Sequence, residues 1–152
     1  MDQPYTLHIS AELKNLAAIR RFTEETAVEL QTPSYAIEDL TLAVDEAVTN
    51  VIVHGYRRGP GTIEINMRRD RDLLVVSLRD QAPPFDPTSV PKPDINIPLD
   101  RRPFGGMGVH LMRESVDEIL YRALPQGGNE LTLVKKAFGS THSQEESNEH
   151  HR

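Results

Sequence analysis

Apolar residues along this chain recur at two spacings, and the switches between them outline the elements. Leu40, Ala43, Val44, Ala47, Val48, Val51 and Ile52 return every three or four positions, one stripe of a helix expected over residues 35–54. Residues 5–9 alternate apolar and polar, as a half-buried strand does. Leu13, Leu16, Ala17, Ile19, Phe22 and Val28 follow at helical spacing, with Ser10 placed to cap that helix and Pro33 to end it. Gly55 suits the C-terminal cap of the second helix. His54 suits its last turn, where a partial positive charge is favoured, so it receives a structural and not a catalytic reading. Residues 62–67 and 73–78 flank Arg69-Asp70-Arg71 as a hairpin, and residues 119–124 and 130–136 flank Pro125-Gln126-Gly127-Gly128 as a second. The expected class is α+β, a two-layer sandwich with a mixed, mainly antiparallel sheet and helices on one face.

Two stretches do not read as packed structure. Residues 85–104 carry Pro87, Pro91, Pro93, Pro98 and Pro103 with little periodicity, which suits a lid or binding loop. Residues 139–152 are polar and expected to be disordered, leaving residues 1–138 as one domain. The three histidines there, His142, His150 and His151, read as a solvated tail. With no cysteine there is neither a disulfide framework nor a thiolate zinc site. No apolar run approaches the ~20 residues of a membrane span, and the start of the chain lacks a signal-peptide pattern, so the cytoplasm is the default. A net charge of −6 argues against nucleic acid as the main partner. The paired arginines are scattered and read as solvated faces.

Candidate chemistry lies in three segments. Glu46 and Asn50 stand four residues apart at one margin of the second helix's stripe. A base beside a neutral oxygen ligand suits a magnesium–nucleotide site, although such a pair is also an ordinary helix flank. Asp80 ends a strand-like run just before Ala82-Pro83-Pro84, as either a ligand or a turn residue. Phe104-Gly105-Gly106-Met107-Gly108-Val109 opens onto a further helix, where backbone amides and the helix N-terminus could receive phosphate or the glycines serve as a hinge. No P-loop, dinucleotide fingerprint, His-Glu-x-x-His or Gly-x-Ser-x-Gly occurs.

In order and content, these three segments resemble the boxes of the GHKL ATPase superfamily. Within it, Leu42-Ala-Val-Asp-Glu46-Ala-Val-Thr-Asn50-Val-Ile-Val-His54-Gly55-Tyr56 is most similar to the N box of bacterial anti-sigma-factor serine kinases. The likeness runs over residues 5–136. It implies the GHKL (Bergerat) ATP-binding fold, with ATP and Mg²⁺ as ligands. By the same resemblance Glu46 is the general base, Asn50 the metal ligand and Asp80 the reader of the adenine amino group. Ala82 stands at the adenine turn. Gly105, Gly106, Met107, Gly108 and Val109 receive the phosphates, Thr132 helps to hold adenine, and Arg101 and Arg102 reach the γ-phosphate. The family's first box usually reads Asp-x-Gly; Ala82 departs from it, which bears on nucleotide affinity. The implied function is a protein-serine/threonine kinase that holds a sigma factor and phosphorylates a STAS-type anti-anti-sigma protein. A homodimer built through residues 5–30 is implied as well. The alternative is an ATP-binding switch that changes protein partners without kinase turnover.

Overall fold

A computed structural model describes residues 4–89, 96–98 and 106–138. Its architecture is the expected two-layer α+β sandwich. Strand β1 (Tyr5–Ser10) leads to helix α1 (Leu16–Glu29) and helix α2 (Ser34–Asn50). Strands β2 (Thr62–Asp70) and β3 (Leu73–Asp80) form the first hairpin. Helix α3 (Gly106–Ser115) precedes β4 (Glu118–Ala123) and β5 (Asn129–Lys136). The sheet order is β1-β2-β3-β5-β4, and each of these pairings is antiparallel. No described helix is long and apolar enough to cross a membrane.

Strand alternation supplies one wall of the core. Ile63, Ile65 and Met67 of β2 point inward, as do Leu74, Val76 and Leu78 of β3 and Leu133 of β5. Helix α2 supplies the other wall with Ala36 and with Leu40, Ala43, Val44, Ala47 and Val48 of the stripe legible in the sequence. It packs between α1 and α3.

Three local expectations are corrected. The first concerns α1, whose buried side is Ile19, Thr23, Thr26 and Ala27, while Val28 is 65% exposed. The buried set advances by four, three and one residues, and Val28 falls off that arc. Thr23 is tolerated inside because its hydroxyl donates to the Ile19 carbonyl at 2.9 Å. The second concerns Ser10, which makes no helix cap. A short 3₁₀ turn, Leu13–Asn15, intervenes, and the Ser10 hydroxyl instead donates to Glu12 and accepts from Asn15.

The third lies at the end of α2. The last turn widens into a π-helical segment, Val51–Gly55, closed by the Tyr56 N–H on the Val51 carbonyl. The reversal comes from Arg57 and Arg58, at φ 52° and 62°, and not from Gly55. Each non-glycine residue in that region costs about 1 kcal/mol, so surrounding contacts must hold the turn in place. Burial pushes the His54 imidazole below its usual pKa, which disfavours the positive charge expected of it. Gly55 has a different task, set by a neighbour in the site.

Candidate active site

Helix α2 carries Glu46 and Asn50 on the side that meets the first turn of α3. A Cβ built on Gly108 would stand 2.6 Å from Glu46 Oε2 and 4.0 Å from Asn50 Oδ1. The bare Cα of Gly108 is therefore what lets the α3 backbone approach the pair. The opening amides of α3 have no carbonyl partners within the helix, and its positive end lies beside the Glu46 carboxylate. Burial chiefly, then the charge of neighbouring Asp45, pushes the Glu46 carboxyl above its ordinary pKa. Asp45 is itself tied through Oδ2 to Arg20 of α1 at 2.7 Å. The Asn50 amide nitrogen is buried without a hydrogen-bond partner among the described residues.

A pocket opens next to this pair, lined by Ala47, Asn50, Gly55, Asp80, Ala82 and Leu131 among others. Asp80, the last residue of β3, is 6% exposed. Its Oδ1 accepts the Ala82 N–H and the Asn129 amide, both at 2.9 Å. Burial raises the Asp80 carboxyl above its usual pKa, and those two hydrogen bonds pull against the shift.

Asn129, first residue of β5, was not singled out from the sequence. Its amide also donates to the carbonyls of Ala82 and Pro83 at 3.3 Å, and its carbonyl accepts the Phe85 N–H and the Tyr121 hydroxyl. One buried side chain thus fixes both Asp80 and the turn after it. Gly128 matters for the same reason. It sits at φ +102°, and a Cβ there would lie 2.1 Å from the Asp80 carbonyl oxygen. The only signal in the sequence was the glycine pair of the hairpin, which reads as turn chemistry alone.

A carboxylate at the base of a largely apolar pocket, beside a helix N-terminus opened by glycine, suits a purine base with its phosphates. Residues 9–135 match the family model described as histidine kinase-like ATPase domain. The chain belongs to that family. It is 33% identical over 96 residues to the serine/threonine-protein kinase BtrW of Bordetella bronchiseptica, covering 62% of this chain and 67% of that protein. It is 30% identical over 117 residues to the serine-protein kinase RsbW of Bacillus cereus, covering 74% and 73%. Among solved structures, the RsbU and RsbW domains of a Mycobacterium tuberculosis protein superpose with a TM-score of 0.63 at 17% identity. That match covers 90% of this chain, which spans about a third (32%) of the longer one.

Within this histidine kinase-like fold, Asn50, Asp80 and Ala82 line one pocket, and Glu46, one helical turn before Asn50, stands against Gly108. Gly106, Met107, Gly108 and Val109 form the first turn of α3, so the glycine-rich segment is helical from Gly106 onward. The Val109 side chain is 1% exposed in the core, and only its backbone is available to a ligand. Gly105, Arg101, Arg102, most of the expected lid and the tail at 139–152 lie outside the described residues.

Thr132 is a correction. It pairs with Ser77 and Leu120 on the sheet face away from the helices, whereas Leu131 turns into the pocket. The alternation of β5 therefore excludes Thr132 from a role at the base, and Asn129 is the β5 residue bonded to Asp80.

The departure at Ala82 is accommodated. Ala82 is buried and is not among the residues with left-handed backbone. A Cβ on Gly55 would stand 3.0 Å from the Ala82 Cβ, so Gly55 is the residue that makes room for the methyl.

Proposed function

We propose that this protein is an ATP-dependent protein-serine/threonine kinase that binds a sigma factor and phosphorylates a STAS-type anti-anti-sigma protein. The observation that carries the reading is the placement of Glu46. A carboxylate of raised proton affinity stands against Gly108 at the N-terminus of α3, one helical turn from Asn50. The kinase names of the relatives over most of their length support the same activity.

In this reading Asp80 accepts from the adenine amino group through Oδ2, while Asn129 holds Oδ1. The opening amides of α3 receive phosphate oxygens. Glu46 takes the proton from a serine or threonine hydroxyl of the partner protein. The hydroxyl oxygen forms the new bond to the γ-phosphorus as the bond to the ADP oxygen breaks.

Among the described residues no group of three His, Asp or Glu side chains forms a metal cage. The fit for Mg²⁺ is the Asn50 carboxamide, whose oxygen faces the α3 turn. Mg²⁺ held there and by phosphate oxygens would offset phosphate charge. A cytoplasmic homodimer is part of the same reading.

The test is transfer of labelled phosphate from ATP to a purified STAS-domain partner, read on a gel with and without Mg²⁺. Magnesium-dependent label on a partner serine or threonine is the expected result. ATP binding without any transfer would favour a non-catalytic switch.

A further inference from the structure

We propose that Tyr56 is a positioning residue of the nucleotide site, its hydroxyl wedging open the end of the β2–β3 ladder so that Asp80 meets the base. The inference rests on reading the pocket as an ATP site and adds a residue to it.

Pairing of β2 with β3 ends at Ile63 and Asp80. One more step would place the Gln81 N–H opposite the Thr62 carbonyl. Instead the Tyr56 hydroxyl lies between them, accepting the Gln81 N–H at 2.7 Å and donating to the Thr62 carbonyl at 2.8 Å. One direct backbone bond is replaced by two through an oxygen, so the strands part and both groups stay satisfied. From there the chain after Asp80 turns to Ala82, whose N–H returns to Asp80 Oδ1.

Two glycines fit the same device. A Cβ on Gly61 would stand 2.3 Å from Tyr56 Cε1, so the ring requires that bare Cα. Gly55, just before Tyr56, abuts the Ala82 methyl. The π-helical turn and the left-handed Arg57 and Arg58 bracket Tyr56 and set where its ring emerges. Through Tyr56, the end of the helix bearing Asn50 is joined to the strand end bearing Asp80. The hydroxyl touches neither of those side chains, so it acts on the spacing between base reader and metal ligand.

The experiment compares wild type, Tyr56→Phe and, as a control, Thr6→Val, which removes a hydrogen bond to Asn66 on the outer face of the sheet. ATP and GTP dissociation constants, turnover at saturating ATP and Gln81 amide exchange are measured. Tyr56→Phe keeps the ring against Gly61. It is expected to speed Gln81 exchange, weaken ATP roughly 5- to 10-fold and shrink the preference over GTP by about threefold or more. The loss should appear in KM and not in kcat, and Thr6→Val should leave the base preference alone. Faster Gln81 exchange with unchanged ATP affinity and base preference overturns the proposal, as does a loss confined to kcat. If Tyr56→Phe folds poorly, Gln81→Pro deletes the donated N–H with ring and hydroxyl intact. The same loss of base preference is then expected, and retention overturns the proposal. A wild type that binds no ATP overturns the site reading itself, and this inference with it.

Discussion

The Cα of Gly108 faces the carboxylate of Glu46 so closely that a methyl added there would stand 2.6 Å from Oε2. The obstructing atom is the far end of a flexible side chain, so Gly108→Ala should displace the carboxylate without unfolding the helix. Alanine is also the better helix former, by about 1 kcal/mol. The melting temperature is therefore expected to hold or rise, while phosphate transfer falls roughly tenfold or more because the base no longer sits where the hydroxyl arrives. Thermal melting and transfer assays on the same preparation check both halves.

Base choice should follow from Asp80 and Asn129. An ionised Asp80 can accept from the adenine amine, but it would face the guanine carbonyl oxygen, acceptor against acceptor. A buried mismatch costs about 1–3 kcal/mol, so ATP should be favoured over GTP by roughly tenfold or more. Burial raises the folded pKa of Asp80. On acidification, ATP affinity should therefore begin to fall above the usual aspartate range. The stability linkage runs the other way: the contribution of Asp80 is greatest below its unfolded pKa and is lost as pH rises through the folded one. Asn129→Ala removes a hydrogen bond that favours the ionised form. Its acid limb should lie at still higher pH, with weaker ATP binding. Calorimetric titration from acid to neutral pH reads the effect.

Asp45 offers a second pH handle. Its charge is the lesser of two causes raising Glu46. Asp45→Asn should move the acid limb of kcat toward lower pH, because the base then loses its proton more readily. It also breaks the half-exposed pair with Arg20, whose charge solvent screens. A kcat–pH profile displaced upward, or not at all, would contradict the coupling.

Period and punctuation carried much of this protein. The stripe on α2 announced both the helix and the margin where Glu46 and Asn50 stand, since a 3.6-residue repeat fixes sides as well as existence. Asp80 was legible because a strand-like run delivered it to a proline stop. Asn129 was not, because its role depends on pairing between strands 49 residues apart, which no local pattern encodes. Thr132 was misplaced by a motif likeness that strand alternation could have corrected: an inward Leu131 and Leu133 leave Thr132 on the other face. The π turn after Asn50 was hidden because its residues are those of an ordinary helix end. The room Ala82 needs comes from Gly55, a tertiary complement far away in the chain.

Gly128 separates backbone need from site chemistry. With φ +102° and a Cβ position 2.1 Å from the Asp80 carbonyl, Gly128→Ala should cost roughly 2–4 kcal/mol and weaken ATP binding as the strand end is pushed away. Neighbouring Gly127 has the same handed backbone at φ +100° but open space around it, so Gly127→Ala should cost about 1 kcal/mol. Paired denaturation curves that rank the two the other way would show that the close approach to β3 is not the constraint.

The central claim is that Glu46 is the base of a protein kinase. Glu46→Gln keeps size and hydrogen bonding and removes basicity. Because the fold raises the carboxyl's pKa, ionised Glu46 is a burden on the fold at neutral pH, and the variant should melt no lower than wild type. The deciding measurement is single-turnover transfer of labelled phosphate from Mg·ATP to the proposed STAS-type partner, with ATP affinity determined on the same protein. The expected result is ATP binding within about twofold of wild type and transfer reduced roughly 10²-fold or more. Transfer at the wild-type rate by Glu46→Gln would contradict it.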